Sequence, residues 1–88
     1  MIVEGEIISG ELDPLNKEFS LQKVKNFYTE STLKEQQLNN IYQYLKKHEN
    51  EDDWQIITLY DQMPVRLSQG EIKQFINDIE HVRALYRE

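Results

Sequence analysis

The sequence predicts an α+β fold in which two helices pack on a small antiparallel sheet of three or four strands. Segments 38–45 and 72–86 repeat apolar residues at helical spacing, whereas 2–12 and 54–60 are rich in the β-branched or aromatic residues typical of strands. A chain of 88 residues is long enough for one modest core, so we predict a single domain over 1–88. The predicted order of elements is hairpin, helix, hairpin, helix.

The first predicted element is a β-hairpin. Segment 2–12 forms its first strand, and 13–17 forms a turn, because Pro14 fixes one backbone angle while Asp and Asn side chains bind nearby backbone N–H groups. Segment 18–22 then forms the second strand. The alternative is a helix that begins at Ser20 and has an apolar face formed by Leu21, Val24, Phe27 and Tyr28. The hairpin is preferred, but the pattern alone does not decide between them.

The first helix is predicted from a capping box followed by an apolar stripe. Thr32 and Glu35 have the spacing at which each side chain can satisfy a backbone N–H of the first helical turn. The stripe that follows consists of Leu38, Ile41, Tyr42 and Leu45. The helix should end near 46–48, where two lysines suit the negative end of the helix dipole.

A second hairpin is predicted after this helix. Segment 54–60 is typical of a strand, and because apolar residues fall on both of its faces we expect it to be central or covered on both sides. The turn 61–64 leads to a short return strand at 65–67. Pro64 lacks an N–H group, so it fits only an edge strand.

The second helix is predicted from a capping box formed by Ser68 and Glu71, with Leu67 placed to pack on Ile72. Its apolar stripe is continuous and consists of Ile72, Phe75, Ile76, Ile79, Val82 and Tyr86.

The residues give no pattern typical of catalysis, so we expect a protein that is not an enzyme and has no cofactor or metal. The chain contains no cysteine, which excludes disulfides and thiolate metal sites. His81 and Asp78 could share a helix face, but two such groups without a further His or Cys make a poor site. No signal segment or membrane-spanning run is recognised, so a cytoplasmic location is expected.

The formal net charge of −6 favours a partner protein with a basic surface and disfavours direct binding to nucleic acid or a membrane. Two acidic clusters are candidate partner-binding residues: Glu4, Glu6, Glu11 and Asp13, and then Glu49, Glu51, Asp52 and Asp53. Glu4 and Glu6 share a strand face at roughly 6.5–7 Å, which is similar to the spacing of phosphates along a nucleic-acid strand.

Further candidates for a partner or self-association surface are three apolar residues outside the predicted helix stripes: Leu33, Tyr44 and Leu85. A homodimer is one option, because a core this small gains stability from an interface. The leading functional hypothesis is a small protein-binding regulator or inhibitor that masks a nucleic-acid-binding site on a host protein. Ile, Asn, Lys and Tyr are frequent and have AT-rich codons, which indicates an AT-rich genome. A phage or mobile-element origin is therefore part of that hypothesis. The alternative is a structural or assembly component of a phage or of a multisubunit complex.

Overall fold

The computed structural model describes residues 1–51, 53–59 and 64–86. Within these residues four strands precede the first helix and two more strands precede the second. The elements are β1 (Ile2–Glu4), β2 (Ile8–Asp13), β3 (Glu18–Val24), β4 (Phe27–Lys34), α1 (Glu35–His48), β5 (Gln55–Thr58), β6 (Pro64–Leu67) and α2 (Gln69–Tyr86).

The first four strands form an antiparallel sheet in the order β1-β2-β3-β4, and β5 and β6 form a separate antiparallel pair. The α+β fold class is confirmed, and the predicted N-terminal hairpin corresponds to β2 and β3. Ser20 lies inside β3, where it pairs with Glu11 on one side and Thr32 on the other. The alternative helix from Ser20 is therefore wrong, and a second hairpin, β3–β4, takes its place.

The predicted capping box of the first helix is also wrong. Thr32 lies in β4, and α1 begins at Glu35, two residues later than that box requires. The backbone N–H of Lys34 donates to Oε1 of Gln37 at 2.9 Å. Lys34 and Gln37, and not Thr32 and Glu35, thus form the capping hydrogen bond at the start of α1. Thr32 is β-branched and its strand partner Ser20 lies across from it, so pairing in the sheet is preferred to capping.

Both predicted helix stripes are confirmed and build one core against the sheet. Leu38, Ile41 and Leu45 of α1 are buried, and Tyr42 is half-buried. All six predicted stripe residues of α2 are buried: Ile72, Phe75, Ile76, Ile79, Val82 and Tyr86. Along β2 buried and exposed residues alternate, so the helices cover one side of the sheet and leave an outer face.

The capping box of α2 is confirmed by two hydrogen bonds. The backbone N–H of Ser68 donates to Oε1 of Glu71 at 2.9 Å, and the backbone N–H of Glu71 donates to Oγ of Ser68 at 3.2 Å. Leu67 and Ile72 are both fully buried in the same core.

Strand β5 differs from the central strand that the sequence predicted. Among the described residues it pairs only with β6, and Ile56 remains 63% exposed while Ile57 is buried. One face of the pair thus packs on the core and the other faces outward. The predicted return strand at 65–67 is confirmed within β6, which begins at Pro64. Residues 61–63 of the predicted turn at 61–64 lie outside the described residues.

Tyr86, at the end of α2, makes the fold sensitive to high pH. Burial raises the pKa of Tyr86 from 10.0 to about 12, and its hydroxyl donates to the carbonyl of Leu33 at 3.4 Å. The folded state disfavours the phenolate, so this contribution to stability is complete below pH 10 and is lost as the pH rises towards 12. Absorbance titration at alkaline pH should show a late-titrating tyrosine that is lost in Tyr86→Phe and remains in Tyr44→Phe. Equal profiles for both variants would contradict this assignment.

Candidate functional site

One candidate surface is the outer face of the four-stranded sheet at its β1 edge. The pairing of β1 with β2 places Ile2 opposite Glu11 and Glu4 opposite Ser9, and Ile2, Glu4 and Glu11 are all exposed. Glu4 and Glu11 are diagonal neighbours, which lie roughly 7–8 Å apart in an antiparallel pair. Neither forms an ion pair with a residue in 1–51, 53–59 or 64–86. Glu6 lies beyond the end of β1, in the connection to β2, so the predicted placement of Glu4 and Glu6 on one strand face is wrong. We call Ile2, Glu4 and Glu11 the acidic sheet face.

Asp13, from the same predicted cluster, stabilises a turn. Its carboxylate accepts the backbone N–H of Leu15 at 3.1 Å and of Asn16 at 3.2 Å, and the side-chain amide of Asn16 donates to it at 2.8 Å. These hydrogen bonds, that of the Asn16 side chain first, hold the pKa of Asp13 below its ordinary value. The carboxylate is exposed but already oriented by its own loop.

The second acidic cluster is partly neutralised by the helix that precedes it. Glu49 contacts Nζ of Lys46 at 3.0 Å, and Glu51 contacts Nδ1 of His48 at 2.9 Å. The hydrogen bond and charge of Glu49 raise the pKa of Lys46. Asp53 is exposed, and its backbone carbonyl accepts a hydrogen bond from Gln69 at 2.6 Å. Asp52 lies outside the described residues.

Helix α2 contacts the elements that lead to the two acidic clusters. Asp78 of α2 contacts the β1–β2 connection, whereas Glu80 accepts a hydrogen bond at 3.0 Å from Tyr42 of α1, the helix that leads into the second cluster. Residues two apart on a helix point roughly 200° apart, so these contacts are on opposite sides of α2. The elements that lead to the two clusters therefore contact opposite sides of α2, and the sequence could not show this.

Asp78 is a buried carboxylate with a structural function. Oδ1 accepts the backbone N–H of Glu6 at 2.9 Å, and Oδ2 accepts those of Ile7 at 2.7 Å and Ile8 at 3.1 Å. A Cβ at Gly5 would lie 2.4 Å from the Asp78 carboxyl carbon, so the absence of a side chain there permits the close approach. The carboxylate thus fixes the connection between β1 and β2 on α2.

His81 does not form the carboxylate–imidazole pair considered from the sequence. It is exposed and lines a shallow depression together with Glu4, Glu6 and Asp78. Both oxygens of Asp78 already accept backbone hydrogen bonds, so this carboxylate is engaged away from His81. Among the residues the structure describes, no group of three or more His, Asp or Glu side chains is placed to hold a metal ion.

A second candidate surface lies on the outward side of the β5–β6 pair. Trp54 is 51% exposed, and the guanidinium carbon of Arg66 lies 4.5 Å from the centre of its ring. Ile56, two residues along, is exposed on the same side and pairs with Arg66 across the strands. We call Trp54, Ile56 and Arg66 the Trp54 face. Sequence reasoning missed it because it took both sides of this strand to be covered.

Lys25 fixes the β3–β4 turn beside the Trp54 face. Its backbone has a φ of 56°, which costs a non-glycine residue about 1–2 kcal/mol. Its Nζ donates to the Arg66 carbonyl at 2.8 Å, contacts Glu71 at 3.0 Å and lies 5.9 Å from the centre of the Trp54 ring. These contacts hold a strained turn in place and fix the backbone that carries Arg66.

The three apolar residues predicted as a partner surface have different environments. Leu33 is 1% exposed because it is an inward residue of strand β4 and no part of a helix, so its assignment to a surface is wrong. Leu85 is half-buried against the core. Tyr44 is 36% exposed, its ring lies 4.6 Å from that of His48, and its hydroxyl donates to Gln55 at 3.5 Å. Tyr44 thus remains accessible.

Together these features define a small α+β protein with two separate exposed surfaces, one acidic and one aromatic and cationic. No family model, curated protein or solved structure matches the chain. Neither helix in the part of the chain that the structure describes is long and apolar enough to cross a membrane.

Proposed function

We propose that this protein is a small non-enzymatic regulator or inhibitor that binds a basic surface of another protein through its acidic sheet face. The observation that supports this best is the exposure of Glu4 and Glu11 on one face of the sheet, with no ion pair to any other described residue. The sheet fixes the backbone at both positions, so only the two side chains need to be ordered when a partner binds.

The chemistry of this face suits a partner that binds nucleic acid. The backbone positions of Glu4 and Glu11 are roughly 7–8 Å apart, so their carboxylates can present two negative charges side by side, as neighbouring phosphates of a nucleic-acid strand do. A basic groove that accepts phosphates would accept these carboxylates, and bound protein would then exclude the nucleic acid. A cytoplasmic location and a phage or mobile-element origin belong to this proposal.

The non-enzymatic part of the proposal is supported by the engagement of the carboxylates. Asp78, the buried carboxylate, is fully used in holding backbone N–H groups, and Asp13 and Glu49 each have a local partner. General acid–base catalysis needs a carboxylate or imidazole within reach of a bound substrate. The exposed acids suit charge recognition better than proton transfer.

Reversing the charge of the acidic sheet face should abolish binding. The tagged protein would be used to capture proteins from lysate of a low-GC bacterium at low and high salt, followed by mass spectrometry. We expect the wild type to retain a basic nucleic-acid-binding protein that is released at high salt, because screening weakens exposed charge pairs. The double variant Glu4→Lys with Glu11→Lys should lose it.

The matched control is Glu49→Lys with Glu51→Lys, which changes the net charge equally on the other side of α2. It should retain the partner, and nucleic acid added in excess should displace that partner from the wild type. If both double variants lost the partner equally, net charge and not the acidic sheet face would explain the binding. Unchanged capture by Glu4→Lys with Glu11→Lys would overturn the proposal.

A second candidate function, a structural or assembly component, is favoured by the Trp54 face. A half-exposed tryptophan beside an exposed isoleucine is typical of a contact surface, since tryptophan is enriched among residues that dominate binding energy.

A further inference from the structure

We infer that the Trp54 face binds the acidic sheet face of a second copy of this chain, so that copies associate head to tail. The inference uses the same acidic sheet face as the proposed function, but it assigns that face a different occupant. It also gives the Trp54 face a function of its own.

The chemistry of the Trp54 face suits a ligand that offers both carboxylates and apolar groups. The outward side chains of β5 and β6 include Ile56 and Arg66, and none of the described ones carries a negative charge. The Arg66 guanidinium lies over the Trp54 ring, an arrangement in which the N–H groups at its edge can donate to a carboxylate. It forms no ion pair within 1–51, 53–59 and 64–86.

The acidic sheet face of a second copy offers the complementary groups. Ile2 is 77% exposed and lies directly across from Glu11, with Glu4 on the same side of the sheet. Ile2 of one copy, which lies beside both carboxylates, can therefore contact Trp54 and Ile56 of the other copy while Glu4 or Glu11 contacts Arg66. The net charge of the chain is −6, and Arg66 gives the Trp54 face a positive charge that attracts carboxylates.

The two faces share no residue, so the contact joins different surfaces of the two copies. Such a contact leaves one free face at each end and allows further copies to add. The expected species are short chains whose length grows with protein concentration and decreases as salt rises. An isologous dimer formed by two Trp54 faces would stop at two copies and would be strengthened by salt, because the repulsion between two acidic proteins would be screened.

Sedimentation velocity over a range of protein and salt concentrations tests the association in purified protein. Arg66→Glu should lower the apparent association constant by about tenfold or more, since it places a like charge against the acidic sheet face. The control Lys73→Glu makes the same change of charge at an exposed position of α2 and should leave the constant unchanged within about twofold. Circular dichroism would verify that each variant is folded.

Mixing two variants identifies the pair of faces. Arg66→Gln retains the acidic sheet face, and Glu4→Gln with Glu11→Gln retains the Trp54 face, so each should be monomeric alone. Neutral amides are used because charge-reversed forms of the two faces would attract each other. Their mixture should form a 1:1 complex that adds no further copies. A wild type that stays monomeric at its solubility limit, or a mixture that stays monomeric, would overturn the inference.

The same variants separate this inference from the proposed function. Arg66→Glu should still capture the foreign basic partner from lysate, because its acidic sheet face is intact. Loss of self-association with retained capture supports both proposals. Retained self-association in Arg66→Glu overturns the head-to-tail inference alone, and absence of any salt-sensitive partner for the wild type overturns the proposed function alone.

Discussion

Replacing Asp78 by alanine should lower the free energy of unfolding by about 3–4 kcal/mol, because it leaves three backbone N–H groups without their acceptor. The N–H groups of Ile7 and Ile8 are buried, so water cannot replace the carboxylate without rearrangement of the β1–β2 connection. The loss is large relative to the stability of a small domain. Urea unfolding followed by circular dichroism would measure it.

Two further variants give this measurement its controls. Asn77→Ala alters an exposed neighbour on the same helix and should change the free energy of unfolding by less than about 0.5 kcal/mol. Asp78→Asn keeps one acceptor oxygen but turns an NH₂ group towards backbone donors, so it should be nearly as destabilising as alanine. A loss below about 1 kcal/mol for Asp78→Ala would show that the connection is held by other contacts.

Replacing Gly10 by alanine should destabilise the sheet by about 3 kcal/mol, the upper part of the range for overpacking. A Cβ at Gly10 would lie 2.1 Å from the backbone carbonyl oxygen of Ser20 and 2.9 Å from the ring of Phe19. The oxygen belongs to the neighbouring strand, so β2 and β3 would have to separate to make room. The register shift between Ser9 and Gly10 lies at this point.

Gly70→Ala is the matched control for that substitution. Nothing lies within 4 Å of a Cβ at Gly70, which is in the first turn of α2. Alanine should stabilise the protein there by about 0.5–1 kcal/mol, because glycine is the poorer helix former. Chemical unfolding of both variants checks the pair; equal effects would contradict the steric explanation.

The helices could be predicted from sequence because their signals are local. The stripe from Ile72 to Tyr86 and the capping box of Ser68 with Glu71 each depend on residues within a few positions of one another. The start of α1 could not be placed, since pairing of Thr32 with Ser20 depends on a strand twelve residues earlier. Leu33 was misplaced for the same reason.

The surfaces were harder to predict because the sequence does not show whether a carboxylate is available to a partner or already forms a hydrogen bond or ion pair within the protein. Asp13, Glu49 and Glu51 have local partners, while Glu4 and Glu11 have no ion pair among the described residues. The sequence suggested His81 as the neighbour of Asp78, but the groups that bind Asp78 are backbone N–H groups of Glu6, Ile7 and Ile8. No side-chain pattern encodes such donors.

The Asp78 contact also has a consequence for the order of folding. Its hydrogen bonds join residues 70–72 positions apart, whereas the hairpins β2–β3 and β3–β4 form between neighbours in the chain. Contacts between distant residues require closure of long loops and form late. During synthesis on the ribosome the β2–β4 meander can pair early, but the β1–β2 connection cannot lock until α2 has emerged. Helix α2 thus completes the β1–β2 connection, although some 70 residues separate the two in sequence.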